Sequence, residues 1–554
     1  MRDNALRMSC SKGNMMNKSK ICRIFFLIIF LVGTIHVLWW GKQKLGFYVD
    51  ELYTYGLSNS YMTPFYERTE NYLDAYHTGS EFWEYLTVSE EDDFEFGSVW
   101  YNQERDVHPP FYYVLIHFVS SVFGGMFSKW IGLGINYLFY ILSGVIFYKL
   151  TESLLKKEIS RVLSVFMFVF SLGTLNTFLY IRMYMMLEFW ILLYLLCMVK
   201  IVLCEVQNDV RFWRYVLIGS IIVCGFLTHY YFIIPAGILS LCYIIYCLMD
   251  KKIKRMLYYI LTCIAAGVTT QYIFEYSYNH IFIGYRGVEA IRNLKNANLF
   301  DNIAEMYDYT NKQIFGGILP IILLGMVIVC IFLFTQKQSD EGTENEALEE
   351  KKRMSKLKLI KGMIWVTTIV FFVFVSKTAA PLHVRSRYLF PVYPFVMISF
   401  FLIVDWILMK NKTRVIQISA ITAVLLCVIT SYFVGTPKEF LFLEYAHIPE
   451  VIEDNYKGSN AIYVTDCSYR HVTDCHILSM HDNIYIADFN TITHMEWFED
   501  EEVILYVNHW AYNPGVGAPA HDLEYYLLLA EEAGYDTCVY LGETEHSNVY
   551  ALSK

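Results

Sequence analysis

Two adjacent carboxylates, Asp50 and Glu51, are the residues whose type and position most directly suggest chemistry. They follow the first apolar run of membrane length, residues 21–40. Charge at the mouth of a membrane span is costly unless it is solvated or paired, so an acidic pair there favours a functional site. The alternative interpretation is that Asp50 and Glu51 simply begin a hydrated loop.

The loop that starts with these carboxylates ends in a His-Pro-Pro-Phe-Tyr-Tyr motif at residues 108–113. Proline suits the first turn of a helix and disrupts a helix interior, so the motif predicts a helix that begins near Phe111. His108 would then lie at the same outer surface as the two carboxylates. The alternative is an ordinary helix start beside a solvated histidine.

Basic and aromatic residues occupy other breaks between the apolar runs. Arg182 and Tyr184 lie at one break, and His229 lies at another. An arginine there could bind a phosphate near the membrane surface. Alternatively, its long side chain could simply place the charged group at the membrane–water interface. His229 lies beside tyrosines, for which the aromatic belt of a membrane protein is the alternative explanation.

A further break carries Arg385, Arg387 and Tyr388. Two arginines in a loop that faces outward oppose the positive-inside trend, which favours a specific anionic partner. Carboxylates and arginines at one membrane surface suit an acid–base reaction on a lipid-linked phosphate. The sequence shows no metal-ligand spacing and no recoverable Ser-His-Asp arrangement.

The composition is that of an integral membrane protein with many spans, since 55% of the 554 residues are hydrophobic and 17% are aromatic. Residues 41–110 carry 14 acidic and 4 basic residues, and residues 436–554 carry 21 and 4. The remainder is strongly basic, because the net charge is only −10. Positive-inside topology produces this separation when two large segments face outward. Neither segment has the basic patch expected of a nucleic-acid-binding surface.

The run 111–127 decides the topology, because it is barely long enough to cross a bilayer. If it lies along the outer interface, the basic loops near 149–161, 211–214, 251–255, 336–361 and 410–414 all become cytoplasmic. We therefore expect a polytopic α-helical membrane protein with about eleven transmembrane helices. The expected spans are residues 21–40, 131–149, 162–180, 185–204, 214–228, 230–249, 256–276, 316–335, 360–377, 388–409 and 415–434.

This topology divides the chain into a cytoplasmic N-terminus at 1–20, a transmembrane domain at 21–435 and an extracytoplasmic domain at 436–554. The transmembrane domain includes the first outer loop at 41–130 and a cytoplasmic linker at 336–359. The last domain alternates short β-type runs with a helical pattern at 521–533, which indicates a small α/β fold. The β-type runs are residues 461–465, 483–487, 502–508, 536–541 and 549–552.

The motifs at 50–51, 108–113, 182–184, 228–230 and 387–391 occur in an order that resembles a known family. The pattern resembles bacterial membrane glycosyltransferases of the GT-C fold, in the protein O-mannosyltransferase and aminoarabinose-transferase superfamily (glycosyltransferase family 39-like), over about residues 1–410. The resemblance implies a GT-C-like fold with interfacial helices in the first outer loop, a polyprenyl-phosphate-sugar donor, an extracytoplasmic active site and inversion at the anomeric carbon. Relatives often carry an acidic residue just before the Arg-x-Tyr element, where this chain has Leu179, Tyr180 and Ile181.

We therefore expect Asp50 to be the general base that takes the acceptor proton, with Glu51 as the second member of the catalytic pair. The expected partners are a polyprenyl-phosphate-linked sugar donor, a glycan, lipid or protein acceptor, and membrane lipid, with no nucleic acid. A divalent metal is possible but not required, because the donor carries no nucleotide diphosphate. The residues expected to bind substrate are His108, Arg182, Tyr184, His229, Arg385, Arg387 and Tyr388.

Two other classes of function remain open from the sequence. A transporter or flippase of lipid-linked sugars would also place charges in the membrane, but toward the bilayer midplane and in broken helices. The candidate charges here cluster at one face, which favours an enzyme. A membrane sensor or scaffold with an outer ligand-binding domain is the third alternative.

Reporter fusions after Lys129 and after Lys157 test the expected topology. We expect the first fusion to report the outer side and the second to report the cytoplasm, because the run 111–127 lies along the interface. An outer signal from the Lys157 fusion would contradict the eleven-span topology.

Overall fold

The computed structural model describes residues 2–69, 72–204, 212–296, 298–335, 348–378, 386–411, 413–434, 439–465, 469–489, 491–492, 497–512 and 521–554. The chain divides into two compact units. The first, which we call the helical unit, comprises Met1–Trp40, Asn136–Leu179 and Met183–Glu439. The second, which we call the sheet unit, comprises Gly41–Ile135, Tyr180–Arg182 and Phe440–Lys554.

The described residues of the helical unit are mostly helical, because a backbone in a bilayer must satisfy its own polar groups. Two of these helices, Arg2–Gln43 and Lys129–Leu154, extend into the sheet unit. The other α-helices are Glu158–Phe170, Leu172–Leu179, Tyr184–Cys204, Phe212–Thr228, Ile233–Met249, Ile253–Ile273, Ser277–Phe282, Tyr285–Asn296, Leu299–Phe315, Leu319–Thr335, Leu348–Thr378, Tyr393–Lys410 and Arg414–Val434. Short 3-10 turns lie at Tyr230–Phe232 and Ser386–Val392.

Among the described residues, eight helices are long and apolar enough to cross a membrane, and two bent helix pairs pass the same test together. One pair, Leu299–Phe315 with Leu319–Leu333, bends by 81°. Gly316 ends its first helix in the left-handed conformation that glycine adopts without steric cost. The remaining expected span, 214–228, is an apolar helix of 17 residues, Phe212–Thr228. The polytopic helical architecture is confirmed, and the count of eleven spans stays a prediction.

The apolar run that decided the topology forms a helix of 12 residues, Phe111–Val122. Such a helix is roughly 18 Å long, whereas a hydrocarbon core is about 30 Å thick. The helix starts directly after Pro110, as the diproline predicts. Its length is consistent with a segment that does not cross the bilayer.

The sheet unit contains a mixed six-stranded sheet. Its strands are β1 (Ala75–Thr78), β2 (Asn460–Thr465), β3 (Asn483–Asp488), β4 (Glu502–Asn508), β5 (Thr537–Glu543) and β6 (Ser547–Ser553). The spatial order is β1-β3-β2-β4-β6-β5, with β2 parallel to β3 and β4 and the other pairs antiparallel. The five strands expected near the C-terminus are confirmed, as is the helix, which spans Leu523–Glu532.

The first strand of the sheet comes from the loop that follows the first membrane-length helix. Strand β1 pairs with β3, and Asp74 strengthens the junction by accepting hydrogen bonds from Asp488 N (3.1 Å) and Thr491 Oγ1 (2.6 Å). The sequence did not predict this strand, because four residues are too few to show a period of two. The first loop and the C-terminal segment therefore share one sheet.

The sheet unit also contains helices on either side of β1 in sequence. Those in the first loop are Val49–Asn59, Gly79–Leu86, Phe96–Arg105 and Phe111–Val122, with a 3-10 turn at Tyr66–Arg68. Those in the C-terminal segment are Leu443–Tyr445, His447–Val451, Ile452–Tyr456, Tyr469–Asp474, Cys475–Leu478, His509–Tyr512 and Leu523–Glu532. The core is formed where the apolar faces of β2, β3 and β4 pack against the last of these helices.

A carboxyl group lies within the buried part of this unit. Asp474 is 1% exposed and accepts hydrogen bonds from Tyr463 Oη (2.8 Å) and Thr544 Oγ1 (3.1 Å). Burial raises the pKa of Asp474 to about 7, although these hydrogen bonds act in the opposite direction. The folded state therefore favours the protonated acid.

This raised pKa predicts a pH-dependent stability. The stabilising contribution of protonated Asp474 is full below its ordinary pKa of about 3.9 and is lost as pH rises through about 7. In Asp474→Asn, the melting temperature of the full-length protein in detergent should fall less between pH 4 and pH 8 than it does in the wild type. The exposed Asp536→Asn serves as a matched control, and equal pH slopes in all three proteins would contradict the prediction.

Candidate active site

The helix Val49–Asn59 places the two carboxylates in its first turn. Tyr48 is the N-cap residue, and Glu51 at the third helical position accepts the backbone N–H of Tyr48 at 2.7 Å through Oε2. This contact satisfies the amide group of Tyr48, which has no partner within the helix. The negative side chains also interact favourably with the N-terminal end of the helix dipole.

Glu51 is fully buried and, together with Lys44, contacts all three segments of the sheet unit. Its Oε2 forms an ion pair with Lys44 Nζ at 2.9 Å, and neither side chain is exposed. Its Oε1 accepts the backbone N–H of Ile181 at 2.7 Å. Lys44 also donates to the carbonyl oxygen of Phe440 at 2.7 Å. These contacts give Glu51 a role in holding the site rather than in contacting solvent.

Asp50 differs from its neighbour because it is only partly buried. Its Oδ2 accepts a hydrogen bond from Tyr180 Oη at 2.8 Å. The Tyr180 ring is buried and stacks on Phe440, with centroids 4.3 Å apart and an interplanar angle of 17°. An oriented, partly accessible carboxylate can accept a proton from a bound hydroxyl group.

Arg182 contacts the same helix and is 5% exposed. Its Nη1 lies 3.1 Å from the main-chain oxygen of Asp50, 3.0 Å from Thr54 Oγ1 and 3.0 Å from Tyr113 Oη. The guanidinium group therefore joins the first turn of the helix Val49–Asn59 to the helix Phe111–Val122.

His108 lies between an acid and this arginine. Its Nδ1 is 2.8 Å from Asp106 Oδ2, and its Nε2 is 3.4 Å from Arg182 Nη2. Because an ionised carboxylate only accepts, the ring nitrogen that faces Asp106, Nδ1, carries a proton. Burial alone would raise the pKa of Asp106, but His108 and Arg182 lower it below its ordinary value.

Four other expected site residues, Tyr184, His229, Arg387 and Tyr388, lie in the helical unit. Tyr184 packs against His229 with ring centroids 5.4 Å apart. Arg387 is 9% exposed and lies over the ring of Tyr388 at 5.3 Å. The third residue expected at that break in the sequence, Arg385, lies outside the described residues.

The structure thus brings the expected site residues together as two groups. The sheet unit holds Asp50, Glu51, His108 and Arg182, and the helical unit holds Tyr184, His229, Arg387 and Tyr388. Within the residues that the structure describes, no group of three His, Cys, Asp or Glu side chains could hold a metal ion.

Sequence reasoning missed three residues that contact the candidate pair or its neighbours. Lys44 resembles the basic residues that commonly flank a membrane span, and its position seven residues before Glu51 gives no pairing pattern. Asp106, two residues before His108, was one of many acidic residues in its loop. Tyr180 was noticed only as a departure from an acidic family position, and its hydrogen bond to Asp50 joins residues 130 positions apart.

No family model and no curated protein matches the chain. Several solved structures resemble it in fold. ArnT from Cupriavidus metallidurans bound to undecaprenyl phosphate matches with a TM-score of 0.50 and 11% identity, covering 95% of this chain and 97% of ArnT. The archaeal oligosaccharyltransferase AglB from Archaeoglobus fulgidus, in complex with an inhibitory peptide and a dolichol-phosphate, matches with a TM-score of 0.40 and 11% identity, covering 87% and 69% of the two chains.

The match to ArnT extends over nearly the whole of both chains, so it concerns the complete architecture and not one shared domain. At 11% identity the likeness is one of fold. This chain therefore has the ArnT-like GT-C fold that its ordered motifs implied.

Proposed function

We propose that this chain is a membrane glycosyltransferase that moves a sugar from a polyprenyl-phosphate-sugar donor to an acceptor hydroxyl. The observation that carries the proposal is the Asp50 carboxylate, held by Tyr180 at the start of a helix in a partly accessible position. The ArnT-like fold supports the class of donor, because the ArnT structure was solved with undecaprenyl phosphate. The charge pattern supports an extracytoplasmic reaction, with a cytoplasmic N-terminus and residues 436–554 on the outer side.

The proposed reaction is a single displacement that inverts the anomeric carbon. The acceptor oxygen forms a bond to that carbon while its proton passes to the Asp50 carboxylate. The bond between the anomeric carbon and the phosphate oxygen breaks, and the polyprenyl phosphate leaves with the electron pair. One positioned base suffices for this step, whereas a retaining reaction would also need a nucleophile.

Several residues around Asp50 hold it in position through different contacts. Glu51, with Lys44, fixes the chain on either side of Asp50. Arg182 holds the main-chain oxygen of Asp50, and His108 with Asp106 holds Arg182. Because Nη1 of Arg182 already meets three protein oxygens, we assign Arg182 to positioning more readily than to binding phosphate.

Arg387 is the stronger candidate for the donor phosphate. The phosphate gains charge as the sugar leaves, and a guanidinium stabilises that charge with two parallel hydrogen bonds. Tyr388 lies beside Arg387, and Tyr184 and His229 pack together in the same unit. We propose that these four residues bind the donor, with Arg385 as a further candidate from the same segment of sequence.

A transporter or flippase of lipid-linked sugars is the second candidate function, because it would bind the same lipid. An Asp50→Asn protein that binds undecaprenyl phosphate but transfers no sugar would favour the enzyme. The acceptor class, whether glycan, lipid or protein, is open in this proposal.

The Asp50→Asn variant should lower the turnover of sugar transfer by about 10²–10⁴-fold, the usual contribution of a positioned general base. Asparagine is nearly isosteric but cannot take the proton. Transfer from purified undecaprenyl-phosphate-linked sugars in nanodiscs measures turnover, and retention of undecaprenyl phosphate measures binding, which should persist.

Glu51→Gln should reduce turnover less per folded molecule, but it should lower the melting temperature because it leaves Lys44 buried without its counter-charge.

Asp93→Asn is the matched control for Asp50→Asn, since Asp93 is an exposed aspartate of the same loop. It should keep wild-type turnover. A turnover loss confined to Glu51→Gln would exchange the roles of the two carboxylates, and full activity in both variants would remove the catalytic role of this pair.

Arg387→Lys should reduce turnover much more than it reduces expression. Lysine keeps the charge but loses the planar fork that grips a phosphate at two points. The same transfer assay measures turnover, and Arg292→Lys, an exposed arginine of the helical unit, is the matched control. Wild-type turnover in Arg387→Lys would reduce Arg387 to an interfacial residue.

A further inference from the structure

We propose that Tyr180 is a positioning residue that orients the Asp50 carboxylate and sets the pH range over which it can accept the acceptor proton. The proposal rests on the function proposed above. It assigns a role to a residue at a place where the family resemblance predicts an acid and this chain has none.

Two consecutive residues of the chain hold two consecutive carboxylates. Tyr180 Oη donates to Asp50 Oδ2 at 2.8 Å, and the backbone N–H of Ile181 donates to Glu51 Oε1 at 2.7 Å. The first bond comes from a side chain and the second from the backbone. A substitution at position 180 can therefore remove one bond and leave the other intact.

The ring of Tyr180 has little freedom to move its hydroxyl group. It is buried, it stacks on Phe440 at 4.3 Å, and it also contacts the ring of Tyr48, with centroids 6.2 Å apart. The hydroxyl is thus presented to Asp50 Oδ2 from a fixed direction. A bond of this kind restricts the rotation of the carboxylate.

The hydrogen bond also favours the ionised form of the carboxylate, because a donor stabilises the negative charge. Arg182 contributes differently, since its Nη1 donates a hydrogen bond to the main-chain oxygen of Asp50. The Tyr180 hydroxyl is therefore the group whose removal should act on the protonation of Asp50 without removing a charge.

Other ionisable groups surround the same helix turn and stay in place when the Tyr180 hydroxyl is removed. Lys44, Tyr48 and Glu51 belong to the adjoining chain. Asp106 and His108 belong to the loop before the diproline. Tyr113 and Arg182 come from other segments, and Glu67 is linked to the helix by its hydrogen bond with Tyr53. A change in pH dependence in a variant that alters only the hydroxyl of Tyr180 can thus be assigned to the bond with Asp50.

Tyr180→Phe tests the proposal, because phenylalanine keeps the stack on Phe440 and loses only the hydroxyl. The acidic limb of the pH–turnover profile should move to higher pH by about one unit or more, since a hydrogen bond to an ionised group contributes about ten-fold or more to an equilibrium. Turnover should therefore fall more at about pH 5 than at about pH 8, because the ordinary aspartate pKa is about 3.9. The assay is transfer from undecaprenyl-phosphate-linked sugars in nanodiscs.

Site-specific replacement of Tyr180 by 3-fluorotyrosine provides a second measurement. The fluorinated phenol is a stronger donor, so the acidic limb should move to lower pH, opposite to its movement in Tyr180→Phe. A purely structural role predicts no such reversal. Tyr55→Phe is the matched control, because Tyr55 Oη is buried in the same unit and donates to the carbonyl oxygen of Ser128 at 2.8 Å.

The outcomes separate this proposal from the proposed function. If Asp50→Asn is inactive and the acidic limb is unmoved in both Tyr180 variants, Tyr180 serves only packing and the proposal is overturned. If Asp50→Asn keeps full activity, the proposed function of Asp50 fails and the proposal fails with it. An equal shift in Tyr55→Phe would also overturn it, because the effect would then not depend on the bond to Asp50.

Discussion

A buried ion pair between Lys44 and Glu51 is the interaction on which the candidate active site depends. The sheet unit is built from three separate stretches of chain, and this pair reaches all of them: Lys44 and Glu51 lie in the first, Ile181 in the second and Phe440 in the third. The pair therefore joins stretches that are far apart in sequence at the place where Asp50 begins its helix.

Such a pair is expensive, because moving two charges out of water costs several kcal/mol per ion unless hydrogen bonds compensate. Here the compensation is extensive. Glu51 accepts two backbone N–H groups in addition to the ammonium, and Lys44 also meets the carbonyl of Phe440 and lies over the ring of Phe442 at 5.3 Å. Removal of either partner would leave a buried charge, so the pair stabilises one particular geometry of the site rather than simply adding stability.

The adjacent carboxylates consequently serve different purposes. Glu51 is buried, and both of its carboxylate oxygens bind protein groups. Asp50 is partly accessible and accepts a hydrogen bond from the Tyr180 hydroxyl. Neighbouring residues on a helix point about 100° apart, which is enough to place one in the core and the other at its edge. Arg182, His108 and Asp106 extend this arrangement as a chain of polar contacts that ends at the main-chain oxygen of Asp50.

Strand β1 shows a second way in which the first loop and the C-terminal segment act together. The loop contributes four residues to a sheet whose other strands lie beyond residue 459. Asp74 secures that edge through Asp488 and Thr491. The loop that carries Asp50 is thus folded with the C-terminal segment as one unit.

The sequence by itself determined the parts of the structure that local pattern controls. Apolar runs of membrane length predicted the helices, since a chain in a bilayer must satisfy its backbone internally. Short β-type runs predicted the strands from β2 to β6, and the diproline predicted the start of the helix at Phe111. The ordered motifs implied the fold and named nine candidate site residues, of which Asp50, Glu51, His108 and Arg182 lie in the sheet unit.

Only the tertiary structure decided how those residues divide their roles. The pairing of Lys44 with Glu51, the contact of Tyr180 with Asp50 and the enclosure of Arg182 all depend on which side chains meet after folding. Strand β1 likewise exists only because β3 offers it an edge. Contacts between residues more than a hundred positions apart leave no periodicity in the sequence, because the chain between them does not constrain which partners become neighbours.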